Sequence, residues 1–252
     1  MALFKSKRKK DLRPSIAISR SDAFQNAAAT LMANIRFCSV DKPIKTIVIT
    51  SSAPNEGKTT VAVALALAMV RAGKKVLMVE GDMRRRCLQG MLDVRTPHGV
   101  HAVLSHECTA EEAIVATNDE GLFFLNAEGG IPNPEAIIDS QSFADLLKDL
   151  GEAYDYVIID TPPVAAFSDA AVIASRVDGT ILVAREGYTE RAEAAYATDQ
   201  LKASGANILG VAMNGKSAQA GSYGYYYDYY YEDKTVPANS PEAKAALQKD
   251  QA

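Results

Sequence analysis

The stretch Ser52-Ala53-Pro54-Asn55-Glu56-Gly57-Lys58-Thr59 sets a lysine and a hydroxyl directly behind a glycine. Those residue types in that order suit the holding of phosphate. A glycine lets the backbone turn so that successive N–H groups converge on an anion, and the lysine adds a mobile positive charge. The hydroxyl of Thr59 is placed to ligate a Mg²⁺ ion carried by the same phosphates. The full pattern for such a loop is Gly-x-x-x-x-Gly-Lys-Ser/Thr, and Ser52 occupies its first glycine position. Pro54, Asn55, Glu56, Gly57, Lys58, Thr59 and Thr60 are the candidate nucleotide contacts. A chance Gly-Lys-Thr at a helix start is the plain alternative. The buried strand before it and the helix after it argue against chance.

A carboxylate that directly follows a strand of a parallel sheet lies at the ligand edge. Tyr156-Val157-Ile158-Ile159 runs into Asp160-Thr161-Pro162-Pro163, and residues 75–79 run into Glu80-Gly81-Asp82-Met83-Arg84. Magnesium takes oxygen ligands and keeps several waters, so Asp160 is the candidate holder of a metal-bound water. Asp82 and Glu80 are left either to help the metal or to accept a proton from an attacking hydroxyl. Lys58, Glu80, Asp82 and Asp160 form the candidate catalytic set; Thr59, Asp82 and Asp160 are the candidate metal ligands. The competing reading of Asp82 and Asp160 is helix capping. Asp169 reads equally as a sensor of a γ-phosphate or as the N-cap of the next helix. Asn214, at the end of the last strand, is a candidate base contact.

Tyr223, Tyr225, Tyr226, Tyr227, Tyr229, Tyr230 and Tyr231 fall within one short stretch of a chain that has 11 tyrosines. Gly221, Gly224 and Asp228 interrupt the run, and no helical or strand period survives, so a core segment is excluded. Either the stretch is an adhesive aromatic tail, or its phenols accept phosphate beside a nucleotide site. Each phosphate adds close to two negative charges, so several make a strong electrostatic switch.

Residues 46–50, 75–79, 121–125, 156–159, 180–183 and 208–213 are apolar, β-branched runs that read as buried parallel strands. Helices are expected over 22–37, 61–72 with Gly73 just beyond, 143–150, 170–175 and 190–203. Strands separated by helices predict an α/β fold, P-loop NTPase-like, with a mostly parallel sheet and helices on both faces. The expected organisation is a basic flexible arm (1–20), one nucleotide-binding domain (21–215) and a tyrosine-rich flexible tail (216–252).

The 252 residues are 48% apolar with net charge −4, enough for a substantial core and without a global basic field for nucleic acid. Lys5, Lys7, Arg8, Lys9, Lys10 and Arg13 do cluster, either as a solvated arm or as an attraction to an anionic membrane face. Cys38, Cys87 and Cys108 show no pairing pattern and suit a reducing compartment. The start lacks the apolar run of a signal peptide, and residues 61–70 are too short to span a bilayer. A cytoplasmic location is expected.

With these motifs in order, residues 34–231 resemble the bacterial tyrosine autokinases of capsule and exopolysaccharide biosynthesis. Residues 51–59 resemble that family's phosphate loop, and Glu80-Gly81-Asp82-Met83-Arg84 its second acidic motif. Val157-Ile158-Ile159-Asp160-Thr161-Pro162-Pro163 resembles its metal-binding strand end, Gly130-Ile131-Pro132-Asn133-Pro134 a family loop, and the tyrosine cluster its acceptor tail. The resemblance implies ATP with Mg²⁺ and phosphorylation of tyrosines, first on the tails of neighbouring copies. It also implies a transmembrane polysaccharide co-polymerase or activator that recruits the chain to the inner face of the membrane, and a cognate tyrosine phosphatase. Carried over by position, Lys58 contacts phosphates, Thr59 and Asp160 serve Mg²⁺, and Asp82 belongs to the acidic pair.

Three positions depart from that family. Glu80 stands where Asp is usual, at the proposed acceptor of the tyrosine proton; it reaches about one bond further, and ~1 Å of misplacement costs roughly 10²-fold. Activity is expected to survive. Asn55 replaces a loop glycine and tolerates positive φ better than most residues. Asn26, Ala29 and Met32 fall where the family carries a ring-building Glu-x-x-Arg-x-x-Arg. Two other functions fit the scaffold. A partitioning or septum-site ATPase would carry a lysine at Ala53 and no tyrosine tail. A non-catalytic regulator would bind ATP without making phosphotyrosine.

Overall fold

The computed structural model describes residues 22–38, 42–131 and 133–215. The basic arm, the tyrosine cluster at 223–231 and Pro132 lie outside the described residues. In chain order the elements are α1 (Asp22–Phe37), β1 (Thr46–Ser51), α2 (Lys58–Arg71), β2 (Val76–Glu80), α3 (Leu88–Met91), α4 (Val100–Leu104), α5 (Ala110–Ala113) and β3 (Val115–Ala116). There follow β4 (Leu122–Leu125), α6 (Pro134–Ile138), α7 (Gln141–Ala153), β5 (Tyr156–Asp160), α8 (Asp169–Ala174), β6 (Gly179–Arg185), α9 (Arg191–Ala203) and β7 (Ile208–Asn214).

The strands form a seven-stranded sheet in the order β3-β4-β2-β5-β1-β6-β7. All neighbours are parallel except the short β3, which runs antiparallel to β4 at the edge. Strands β1 and β2 are buried along their whole length. Alternation then sends successive side chains to opposite faces. Ile47 and Ile49 of β1, Met78 of β2 and Ile158 of β5 pack with Ile35 of α1 and with Leu65, Ala66 and Met69 of α2. Val48, Leu77, Val79, Val157 and Ile159 face the other way, onto Phe143, Leu147 and Leu150 of α7, Ile173 of α8 and Leu201 of α9. The sheet is therefore the middle of three layers.

Helix α1 takes the bounds that its Ala/Leu spacing predicts, and Met32 packs against the α2-side core. Helix α2 starts at Lys58, three residues before the expected apolar run, and its last turn leads into Gly73 at φ 75°. Helices α3 to α6 and strand β3 were not anticipated. At two to five residues they are too short to show a period. Ser140 caps α7 by accepting from the Phe143 amide at 3.1 Å. The three cysteines are free.

The entry to β1 is fixed by Asp178, which precedes β6. Its Oδ2 accepts from the amides of Lys45 (3.1 Å) and Thr46 (3.0 Å) and from Thr46 Oγ1 (2.9 Å), while Lys42 Nζ lies 2.9 Å from Oδ1. Burial acts to raise its carboxyl, but the bonds from Lys42, Thr46 and Lys45 outweigh burial and hold it below the ordinary value. Asp178→Ala strands those donors, and urea denaturation at pH 7 is expected to show a loss of about 1–3 kcal/mol. Because the folded pKa is depressed, the stabilisation is complete above the unfolded carboxylate value. It disappears as pH falls through the folded one, so the two proteins converge once the pH is below it.

Candidate functional site

The site forms where β1, β5 and β2 end side by side. Their register pairs Ile49 with Asp160 and Asp160 with Glu80, so two carboxylates meet just beneath the loop that leaves β1. Gly81 keeps the edges close: its amide donates to the Asp160 carbonyl at 2.7 Å, and a Cβ there would stand 2.8 Å from the same oxygen.

The loop of residues 52–57 is built around Glu56, which is fully buried. Its carboxylate accepts from Ser52 Oγ (2.8 Å), from the Ala53 amide (2.9 Å) and from Thr189 Oγ1. Ser52, in the first glycine position of the motif, thus turns its hydroxyl inward and completes the loop. Asn55 at φ 67° and Gly57 at φ 90° both take the left-handed region, where asparagine and glycine are tolerated best. Gly57 is required twice over, since a Cβ would lie 2.0 Å from Asn214 Nδ2.

Three successive loop carbonyls are held from outside. Tyr188 Oη donates to Pro54 O at 3.2 Å, Arg185 Nη1 to Asn55 O at 3.2 Å and Asn214 Nδ2 to Glu56 O at 2.8 Å. A planar trans peptide points its C=O and N–H in opposite directions, so the amides of Asn55, Glu56 and Gly57 are turned away from these partners. Helix α2 follows with no side-chain cap and no acidic residue in its first turn, which leaves its positive end for an anion.

Behind the loop sits a knot of charge. Thr59 Oγ1 donates to Asp160 Oδ2 at 2.7 Å, and Lys58 Nζ donates to Thr59 Oγ1 at 3.3 Å. The same ammonium lies 3.6 Å from Asp160 Oδ1 and 3.7 Å from Asp82 Oδ2. Asp82 Oδ1 accepts from the amides of Arg84 (3.2 Å) and Arg85 (2.8 Å). Glu80 Oε2 accepts from the amides of Cys87 and Leu88, each at 2.9 Å. Burial pushes the Asp160 carboxyl up to about 6 against the pull of Lys58 and Thr59. Burial, reinforced by the charge of Asp160, pushes Glu80 up to about 8 despite the amides of Leu88 and Cys87.

Asp160 Oδ1 and Glu80 Oε1 are buried without a hydrogen-bond donor. With Thr59 and Asp82 they make a hard-oxygen environment short of positive charge, which fits Mg²⁺. Among the described residues no group of three or more His, Cys, Asp or Glu is arranged to hold a metal by itself. An ion there would draw most of its ligands from phosphate and water, as magnesium commonly does.

Asp169 is the first residue of α8, behind Ser168 at the cap position. Its carboxylate receives Arg84 Nε at 3.2 Å; Arg84 also reaches Glu135 at 2.9 Å and lies 4.5 Å from the centre of the Phe167 ring. Asp169 thus anchors the arginine that follows Asp82. Sequence reasoning passed over Arg84, Arg185, Tyr188 and Thr189. Arg185 ends β6 and Tyr188 and Thr189 follow it, and the strand-end rule that singles out Asp160 applies there too.

The AAA domain family model matches residues 44–187. A Bacillus subtilis (strain 168) protein named tyrosine-protein kinase YwqD is 36% identical over 228 residues, 90% of this chain and 96% of that protein. The solved kinase domain of the Escherichia coli tyrosine kinase ETK aligns with TM-score 0.77 and 29% identity over 87% of this chain and 88% of that one. The crystal structure of the chimerical protein CapA2B2 aligns with TM-score 0.70 and 34% identity over 74% and 82% of the two chains.

Gly57→Ala is expected to abolish nucleotide binding in calorimetric titration while the chain stays folded by circular dichroism. Glu80→Gln supplies the neutral form that the buried site prefers. Since the folded pKa of Glu80 lies above its unfolded one, the wild type loses stability as pH rises from about 4.5 to about 8. The melting temperature of Glu80→Gln relative to wild type is therefore expected to climb over that interval and level off above it.

Proposed function

This chain belongs to the bacterial tyrosine-protein kinases, and we propose that it moves the γ-phosphoryl group of Mg-ATP onto the tail phenols of neighbouring copies. The acceptors in this reading are Tyr223, Tyr225, Tyr226, Tyr227, Tyr229, Tyr230 and Tyr231. The observation that carries it is the position of Lys58, at the start of the P-loop helix and between Asp82 and Asp160.

Phosphoryl transfer asks for positioning and charge neutralisation more than for covalent chemistry. The amides of Asn55, Glu56 and Gly57 and the N-terminus of α2 take the phosphates. Lys58 exchanges its contacts with the carboxylates for the phosphate oxygens. Thr59 and Asp160 would hold Mg²⁺ and its waters, and the ion would supply charge neutralisation to the phosphates. Asp82, turned toward Lys58, takes the phenol's proton. Glu80 serves in this reading as a frame, its Oε2 bonded to the amides that open α3. That assignment explains how a longer carboxylate is accommodated beside the site.

The wider setting is part of the same proposal. No helix among the described residues is long and apolar enough to cross a membrane, and a relative has been solved as a chimerical protein. In this reading a separate transmembrane co-polymerase or activator brings the kinase to the inner membrane face, aided by the basic arm. A cognate tyrosine phosphatase would reset the tail, and the cycle would regulate capsular or exopolysaccharide synthesis and export.

Intact-mass analysis after incubation with Mg-ATP tests the reading. A ladder of added phosphates mapping to the seven tail tyrosines is expected. Lys58→Met should lower the rate by roughly 10²-fold or more. ATP binding with no phosphate added, even with the membrane partner supplied, would overturn the kinase assignment for this chain in favour of a nucleotide-binding regulator.

A further inference from the structure

A phenol outside the tail is coupled mechanically to the phosphate loop. Tyr188 lies in the turn between β6 and α9 and is 47% exposed. Its hydroxyl holds the Pro54 carbonyl, and its ring lies 5.4 Å from the guanidinium of Arg185, which holds the Asn55 carbonyl. The next residue, Thr189, bonds Glu56 from the same turn. One short segment thus grips three consecutive loop residues from the solvent side.

The same segment leaves the Tyr188 side chain half exposed. Gly187 takes φ 68° in the turn that carries Tyr188, and Glu186 and Glu190 flank the pair. The tail shows a comparable Gly-Tyr step at Gly224-Tyr225, with Asp228 close behind. Tyr196 is also exposed, at 54%, but it sits within helix α9, whereas Tyr188 sits in a turn. Tyr154 is buried.

We propose that Tyr188 is a further phosphoacceptor of this kinase, modified by a second copy of the chain, and that its phosphorylation loosens the phosphate loop and weakens nucleotide binding. This rests on the kinase reading above. Tyr188 Oη attacks the γ-phosphorus of ATP held by the other copy. The new O–P bond forms as the bond to the ADP oxygen breaks, and the phenol's proton passes to Asp82 of that copy.

The consequences follow from charge. The modified oxygen has no hydrogen left to donate, so the bond to Pro54 O is lost. The phosphate carries close to two negative charges and three strong acceptor oxygens. It is repelled by the Pro54 carbonyl and competes with Asn55 O for Arg185. Two of the three outside grips then release together, and the amides of Asn55 and Glu56 lose their fixed aim. The enzyme thereby acquires a brake that its own activity applies.

The test uses the full chain with all seven tail tyrosines changed to Phe, beside wild type, each incubated with Mg-ATP and mapped by peptide mass analysis. Phosphate on the peptide containing Tyr188 is expected in both, and Tyr188→Phe in the tail variant should remove it. Calorimetric titration with ADP should show affinity roughly fivefold weaker for the Tyr188-phosphorylated tail variant than for the same protein after phosphatase treatment. Phosphate confined to the wild-type tail would overturn the proposal and leave the kinase reading intact. Phosphate on Tyr188 with unchanged affinity would overturn the brake. No phosphate on any tyrosine would remove both this proposal and the kinase reading.

Discussion

The arrangement depends on carboxylates withheld from water at the ends of adjacent strands. Glu80 and Asp160 are fully buried and Asp82 nearly so, while Lys58 stands among them as the ammonium within reach of Asp82 and Asp160. Burying a charge costs several kcal/mol unless a partner offsets it, and this group holds more negative charge than one lysine can balance. Burial is the main cause of the upward displacement of Glu80 and Asp160, and neighbouring carboxylates add to it. In the proposed reaction a divalent cation delivered with a nucleotide would relieve the imbalance and leave Lys58 free to exchange the carboxylates for the phosphates.

Sheet register supplies the constraint that keeps this unfavourable group together. The pairing of Glu80 with Asp160 and of Asp160 with Ile49 is set by apolar residues on both faces of β1, β2 and β5. A slip by one residue would turn every one of those side chains to the wrong layer. The large, inexpensive burial of valine, isoleucine and leucine therefore holds a small, costly cluster of acids in place. Gly81 and the Thr50 hydroxyl, which donates to Pro162 O at 2.8 Å, bring the strand ends close enough for the cluster to act as one.

Much of this is legible in the residues themselves. Thr46 to Thr50 carries β-branched side chains that suit a strand buried on both faces, and a Gly-Lys-Thr after such a strand can open a helix only in a few ways. Asp160 and Asp82 are found by the strand-end rule, and Asn55 at positive φ by its intrinsic tolerance. The parts that stayed hidden depend on partners far along the chain. Glu56 looks like an ordinary solvent-exposed loop acid until Thr189 is brought to it across 133 residues. Asp169 has cap-like spacing, yet its carboxylate is taken by Arg84, 85 residues earlier. Glu80 shares the motif with Asp82, and its bonds to the amides that open α3, a helix too short to leave a periodic trace, leave no mark in the sequence.

A phosphate loop is often treated as a motif sufficient in itself, but the inner and outer contacts here divide the work. Glu56 shapes the loop from within, through Ser52 and Ala53, which the motif contains. The aim of its amides is set from outside by Tyr188, Arg185 and Asn214, which the motif does not contain and which come from the ends of β6 and β7. Peptide planarity makes the two sides one system: a carbonyl released on the outside frees the amide behind it to rotate. Nucleotide affinity is therefore exposed to whatever happens on a half-open turn whose members include a phenol. In an enzyme whose chemistry is the modification of phenols, that places its own product within reach of its substrate site.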